Sequence, residues 1–207
     1  MRRLLAAACA AAPFATAAPL AAALIAVVFS LGTDYEVVQR THARFTGGEL
    51  SGGSCRDAVD RALEPGFATI DFRYQVAGLR REGARQFAGR VAFSLGDVTI
   101  TAPRAISWPH MSQLDRERAE ALRRAILHHE IGHVRVAEGV RDEMNARDAV
   151  EEPDRQAFGA AADALGREGF ARFKREERDY DALTDHGRRQ HEAPGALAGP
   201  DTVIVCR

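Results

Sequence analysis

Strict alternation of apolar and polar residues marks two strands in the first half of the chain. Ile70, Phe72, Tyr74 and Val76 alternate with Thr69, Asp71, Arg73 and Gln75, the period-2 signature of a half-buried strand. Val91, Phe93 and Leu95 repeat the pattern, Gly96-Asp97 interrupts it as a bulge or tight turn, and Val98 and Ile100 resume it. The charged turn Arg80-Arg81-Glu82-Gly83 joins the two runs. Links this short leave no room for parallel crossovers, so the expected sheet is antiparallel. Weaker alternation of Tyr35, Val37 and Ala43 predicts another strand over 35–45. Gly47-Gly48 and Gly52-Gly53 bracket a loop, and Cys55 to Leu63 reads as a short helix stopped by Pro65-Gly66.

The period then changes. Ala119, Leu122 and Ile126, followed by Val136, Ala137, Val140 and Met144, recur at helical spacing. Ser112 with Asp115 three residues on is an N-cap signature, so a long helix is expected from there to about Asn145. The preceding loop, Pro103 to Pro109, holds the only tryptophan, Trp108, read as a core plug. Pro153 within an acidic stretch opens a second helix that carries Phe158, Ala161, Ala162, Leu165 and Phe173 and ends near Asp179. Turns at Pro194-Gly195 and Gly199-Pro200 lead to a final short strand, Val203 to Val205. The predicted class is α+β: a small antiparallel sheet packed on a long helix, with a second C-terminal helix.

Composition narrows the setting. With 46% hydrophobic residues and a net charge of -1, the chain has neither the basic footprint of a nucleic-acid binder nor the profile of a disordered acidic chain. Arg2 and Arg3 precede an uncharged, alanine-rich run from Leu4 to Leu31 that Pro13 and Pro19 interrupt. Residues 1–33 thus read as a signal peptide or an N-terminal membrane anchor through 4–31, and 34–207 as one domain. Positive charge before the apolar run places the domain outside the cytoplasm, periplasmic or secreted, or held at the inner membrane by that anchor. Cys9 falls inside the export segment. Cys55 and Cys206 remain, and in an oxidising compartment they form a candidate disulfide.

The candidate chemistry lies in the long helix, at His129-Glu130-Ile131-Gly132-His133. Residues four apart stack on one helix face, so His129 and His133 can share one Zn2+ ion. Glu130, turned about 100° from His129, is suited to take the proton of the attacking water as general base. His128, just before the motif, lies off that face and is expected to support a ligand from behind or to face solvent. A catalytic zinc needs a third protein ligand. Val136, Ala137 and Val140 continue the helix face and cannot bind metal, while Val136 and Gly139 stand where a metzincin would carry glycine and histidine. The ligand therefore comes from another segment. It is either a second-helix glutamate, Glu168, Glu176 or Glu177, or His186, which precedes Gly187 in the polar turn Tyr180-Asp181-Ala182-Leu183-Thr184-Asp185-His186-Gly187.

These features together resemble a bacterial family of exported proteins regarded as zinc-dependent proteases and designated domain of unknown function 922. The resemblance runs from Asp34 to Gln190. It is carried by Ala68-Thr69-Ile70-Asp71-Phe72-Arg73-Tyr74, by Pro103-Arg104, by His129-Glu130-x-Gly132-His133, and by Tyr180-Asp181-x-x-Thr184-x-His186-Gly187. Ala105 and the absence of a cysteine before the second strand depart from the family pattern. The resemblance implies a zincin-like fold and tips the third ligand to His186, with Asp181 or Asp185 holding its other ring nitrogen and Tyr180 or His128 as candidates to steady an oxyanion.

The resulting expectation is an extracytoplasmic zinc metallopeptidase acting on a peptide or protein of the cell envelope. Glu130 is its general base, and its partners include no nucleic acid. The rival expectations are a zinc hydrolase of a cell-wall amide and a non-enzymatic zinc-binding envelope protein.

Overall fold

The computed structural model describes residues 34–64, 67–81, 86–147 and 149–206. The expected signal or anchor over 1–33, the Pro65-Gly66 stop and the Glu82-Gly83 half of the charged turn lie outside these residues. Among the described residues no helix is long and apolar enough to cross a membrane.

The two alternating runs form the longest strands, β3 (Phe67–Arg81) and β4 (Phe87–Thr101), each of 15 residues. They pair antiparallel, with Ile70 opposite Val98 and Phe72 opposite Leu95. Two residues of β4 thus face one of β3, which makes Gly96-Asp97 a bulge, as expected. The remaining strands are three-residue segments: β1 (Arg44–Thr46), β2 (Glu49–Ser51), β5 (Ala105–Ser107) and β6 (Val150–Glu152).

The sheet is mixed rather than wholly antiparallel. β1 runs parallel to one end of β4, β6 runs antiparallel to the other end, and β2 and β5 form a separate parallel pair. Short links govern only the β3–β4 pair. Between β1 and β4 the chain passes through β2, the helix α2 (Cys55–Leu63) and β3, which is ample length for a parallel return. The side chain of Asn145 bonds the β4 edge that carries β1 and β6. Its Oδ1 accepts from Phe93 N (2.7 Å) and its Nδ2 donates to Phe93 O (2.9 Å), so a carboxamide stands in for a peptide group.

Two expectations are corrected. Residues 34–41 are a helix, α1, and only Arg44–Thr46 is strand. Val37, Val38 and Thr41 lie on one helical face, and Val37 is buried against Ile131, Val134, Val98 and Ile100, so tertiary packing overrides the β-branched propensity. Val203 to Val205 is not a strand. Both valines are exposed and the segment is extended coil.

The long helix α3 (Gln113–Asn145) begins at Ser112 with a complete capping box to Asp115. It contributes to three apolar clusters. Its first half packs Ala119, Leu122 and Ile126 on α2 and β5, with Trp108 partly buried beside them. Its middle meets α1 and β4. Its last turns, with Ala137, Val140 and Met144, meet the sheet and the helix α4 (Arg155–Thr184). In α4, Gly166 and Gly169 admit the rings of Tyr74 and Phe93 where a Cβ would collide, and Phe173 stacks on Phe72 at 4.9 Å.

Cys55 and Cys206 are joined, with Cα atoms 5.7 Å apart and 151 residues of separation. Closing so long a loop removes much of the unfolded chain's freedom. Replacing both cysteines with serine should lower unfolding stability by about 2–5 kcal/mol, read as a reduced midpoint in urea with a slope that rises as the unfolded chain expands.

Candidate metal centre

Residues 128–134 of α3 are buried on every side of the helix. α1, β4, α4 and the C-terminal segment surround them, so each polar group there needs a partner drawn from another part of the chain. The imidazoles of His129 and His133 meet nearly edge-to-face, with centroids 5.0 Å apart. Their Nε2 atoms lie 3.3 and 3.1 Å from the same oxygen, Oδ1 of Asp181.

Asp181 Oδ1 is buried and receives both of these contacts. The three candidate ligand atoms all lie within 4.8 Å of each other. An N,N,O set of this kind suits a zinc ion, so the residues fit the group that the motif implies. Burial opposes the charge on Asp181, yet the two imidazoles hold its carboxyl well below the usual range. Burial likewise opposes the charged form of His133, but Asp181 and Glu130 leave it raised.

Glu130 is 3% exposed and its Oε2 has no hydrogen-bond partner. Burial pushes its carboxyl up to about 7, against the attraction of His133 and His129. It borders a cleft of about 510 Å³ floored by His129, Glu130 and His133. Phe67 and Ala68 of β3 also line the cleft, as do Lys174, Arg178 and His186.

His186 stays at the rim. Its side chain is 74% exposed, with Nδ1 3.6 Å from Asp181 Oδ1, and the ligand group contains Asp181 in its place. α4 continues to Thr184, which keeps Asp181 on a helical face against α3. Asp185, His186 and Gly187 then follow in left-handed conformation, with φ of 48°, 51° and 86°. Asp, His and Gly are among the residues that accept this region most readily, so the His-Gly pair has a backbone reason. Thr184 Oγ1 braces the turn, donating to Tyr180 O and accepting from Gly187 N. Glu168 and Glu176 pair with arginines, and Glu177 pairs with Lys174 on the cleft wall.

The two candidates for steadying an oxyanion are both committed elsewhere. His128 Nδ1 lies 2.9 Å from Asp34 Oδ2, and its Nε2 lies 3.1 Å from Ala198 O. Tyr180 stacks on His129 at 5.1 Å, donates to His129 O, and accepts from Gln190 Nε2 at 2.7 Å. Burial raises its phenol above the ordinary value. Gly132 makes this contact possible, since a Cβ there would run into the Tyr180 ring and hydroxyl.

Residues 33–187 match the family described as "Bacterial protein of unknown function (DUF922)". The chain belongs to this family. No curated protein and no solved structure matches this DUF922 chain. Tyr180 and Asp181 fall inside the matched region, whereas Gln190, whose Oε1 lies 3.0 Å from His129 Nδ1, falls beyond it. Sequence reading missed Gln190, because a glutamine in a polar tail carries no spacing that ties it to a helix 61 residues away.

Gly132→Ala should displace Tyr180 and destabilise the fold by about 1–3 kcal/mol. Pairing it with Tyr180→Leu should recover part of that loss, a coupling readable in a double-mutant cycle by urea unfolding. Additive losses would show that the two residues do not share the space.

Proposed function

We propose that this protein is an extracytoplasmic zinc-dependent peptidase with a zincin-like site, in which His129, His133 and Asp181 hold the metal and Glu130 is the general base. The observation that carries the reading is the convergence of three buried ligand atoms beside an unpaired glutamate on an open cleft. Zinc, when bound, would supply a Lewis acid that polarises the scissile carbonyl and makes water acidic near neutral pH.

The protein's own groups account for the rest. Glu130 Oε2 has no competing partner, so it is free to take a proton from water and return it to the leaving amine. Tyr180 and His128 are withdrawn from substrate by their own hydrogen bonds. Arg178 and His186 on the cleft wall remain as polar groups able to face a substrate carbonyl. Three donors and an accessible cleft favour a hydrolytic site over a closed structural one. The disulfide between Cys55 and Cys206 fits an oxidising, extracytoplasmic setting, where envelope peptides or proteins would be the substrates.

Glu130→Gln should retain zinc by elemental analysis while hydrolysis of a peptide library falls by about 10²–10⁴-fold. Full activity in that variant would remove the mechanism.

Asp181→Ala should weaken zinc binding by at least tenfold, while His186→Ala should leave it within about threefold of the parent, both read by chelator competition. The reverse order would return the third-ligand role to His186.

A further inference from the structure

The chain beyond α4 passes behind the metal centre as a strap, residues 187–206. Gly187 lies against the His129 ring, where a Cβ would come 3.2 Å from His129 Cγ, and Gly199 admits the His128 ring. Thr202 N donates to Gly187 O at 2.9 Å, His191 Nδ1 lies 2.9 Å from Asp201 Oδ1, and Cys206 ends the strap at its bond to Cys55.

Within the strap Gln190 is fully buried, and its hydrogen bonds have only one consistent direction. Leu197 O, 2.5 Å from the Gln190 amide nitrogen, can only accept. The NH2 group therefore faces Leu197 and Tyr180, and Oε1 faces His129 Nδ1. An amide oxygen only accepts, so Nδ1 of His129 must carry the hydrogen. The neutral ring then has its lone pair on Nε2, the atom turned toward Asp181.

We propose that Gln190 is a positioning residue of the metal centre, fixing His129 as the Nδ1–H tautomer with Nε2 free to bind metal, and that the Cys55–Cys206 disulfide holds the strap that carries it. Family match ends at residue 187, so this support is supplied by the segment that follows. The inference rests on the metal reading above, but its first readout needs neither metal nor turnover.

The test uses the full oxidised chain. In metal-free protein, ¹⁵N spectra of the histidine rings should show His129 protonated at Nδ1, whether or not Asp181 also holds a proton on Nε2. Gln190→Glu, which keeps an acceptor toward His129 and, in its protonated form, a donor toward Leu197 O, should preserve that tautomer and hold zinc within about threefold of the parent. Gln190→Met, which offers none, should lose the single tautomer and bind zinc about 10–100-fold more weakly in chelator competition. Cys55→Ser with Cys206→Ser should weaken zinc at least fivefold. An Nε2–H tautomer in the parent would overturn the proposal, as would equal losses in the Glu and Met variants, which would mark Gln190 as packing alone. Unchanged zinc affinity without the disulfide would overturn the part assigned to it. A parent that binds no zinc would sink the peptidase reading, while the ring spectra would still decide the role of Gln190.

Discussion

A helix buried on all sides through two turns imposes the constraint from which the rest of this structure follows. Residues 128–134 of α3 include three histidines and a glutamate, and taking such groups out of water is costly unless each finds a partner. A globular core would ordinarily fill those positions with aliphatic side chains. Here the surrounding segments answer polar groups in turn: Asp34 of α1 and Ala198 of the tail for His128, Gln190 for Nδ1 of His129, Asp181 of α4 for the Nε2 atoms of His129 and His133. Oε2 of Glu130 is left without a partner. An unpartnered carboxylate oxygen between two partnered imidazoles is the one feature of this helix face that packing alone does not explain.

Tyr180 shows how tightly this arrangement is coupled. Its ring covers His129 face-on and meets His133 edge-on, at centroid distances of 5.1 and 5.0 Å. That contact requires Gly132, the one position of the motif without a side chain to block it. Once Tyr180 is docked, the next residue of α4 is Asp181, and the helix delivers its carboxylate to the histidines without any further device. The third ligand candidate is thus a consequence of packing one tyrosine on one glycine. The interior Gly between Ile131 and His133 weakens the helix by about 1 kcal/mol relative to alanine, a loss that the stacked ring offsets.

Much of this was legible from sequence, and the parts that were not fail for identifiable reasons. α3 declares itself through Ser112, Asp115 and its periodic apolar face, and β3 and β4 through alternation, because local pattern and burial agree there. The weak alternation of Tyr35, Val37 and Ala43 reads as a strand, and only the contact of Val37 with Ile131 and Val134, far along the chain, favours the helix. The three-residue strands have no period to detect. For the metal centre, His129, Glu130 and His133 were marked by spacing alone. Asp181 and His186 stand in the same short motif, and the family resemblance points to the histidine. The choice between them turns on whether α4 ends before or after residue 181, and helix ends are the least legible boundaries in a sequence.

The disulfide joins these two levels of argument. Cysteine arithmetic suggested it from compartment alone, as a staple between the ends of the domain. The fold gives it a place beside the chemistry: Cys55 opens α2, whose last turn leads to β3 at the cleft, and Cys206 ends the segment that lies behind His129. Both walls of the cleft are therefore tied to one covalent bond, one directly through α2 and the other through the strap. Among the described residues α2 itself is only nine residues long, too short to hold its position by helix propensity. Fixing α2 and the strap to each other limits how far the two walls of the cleft can separate, while the candidate ligands themselves stand on α3 and α4.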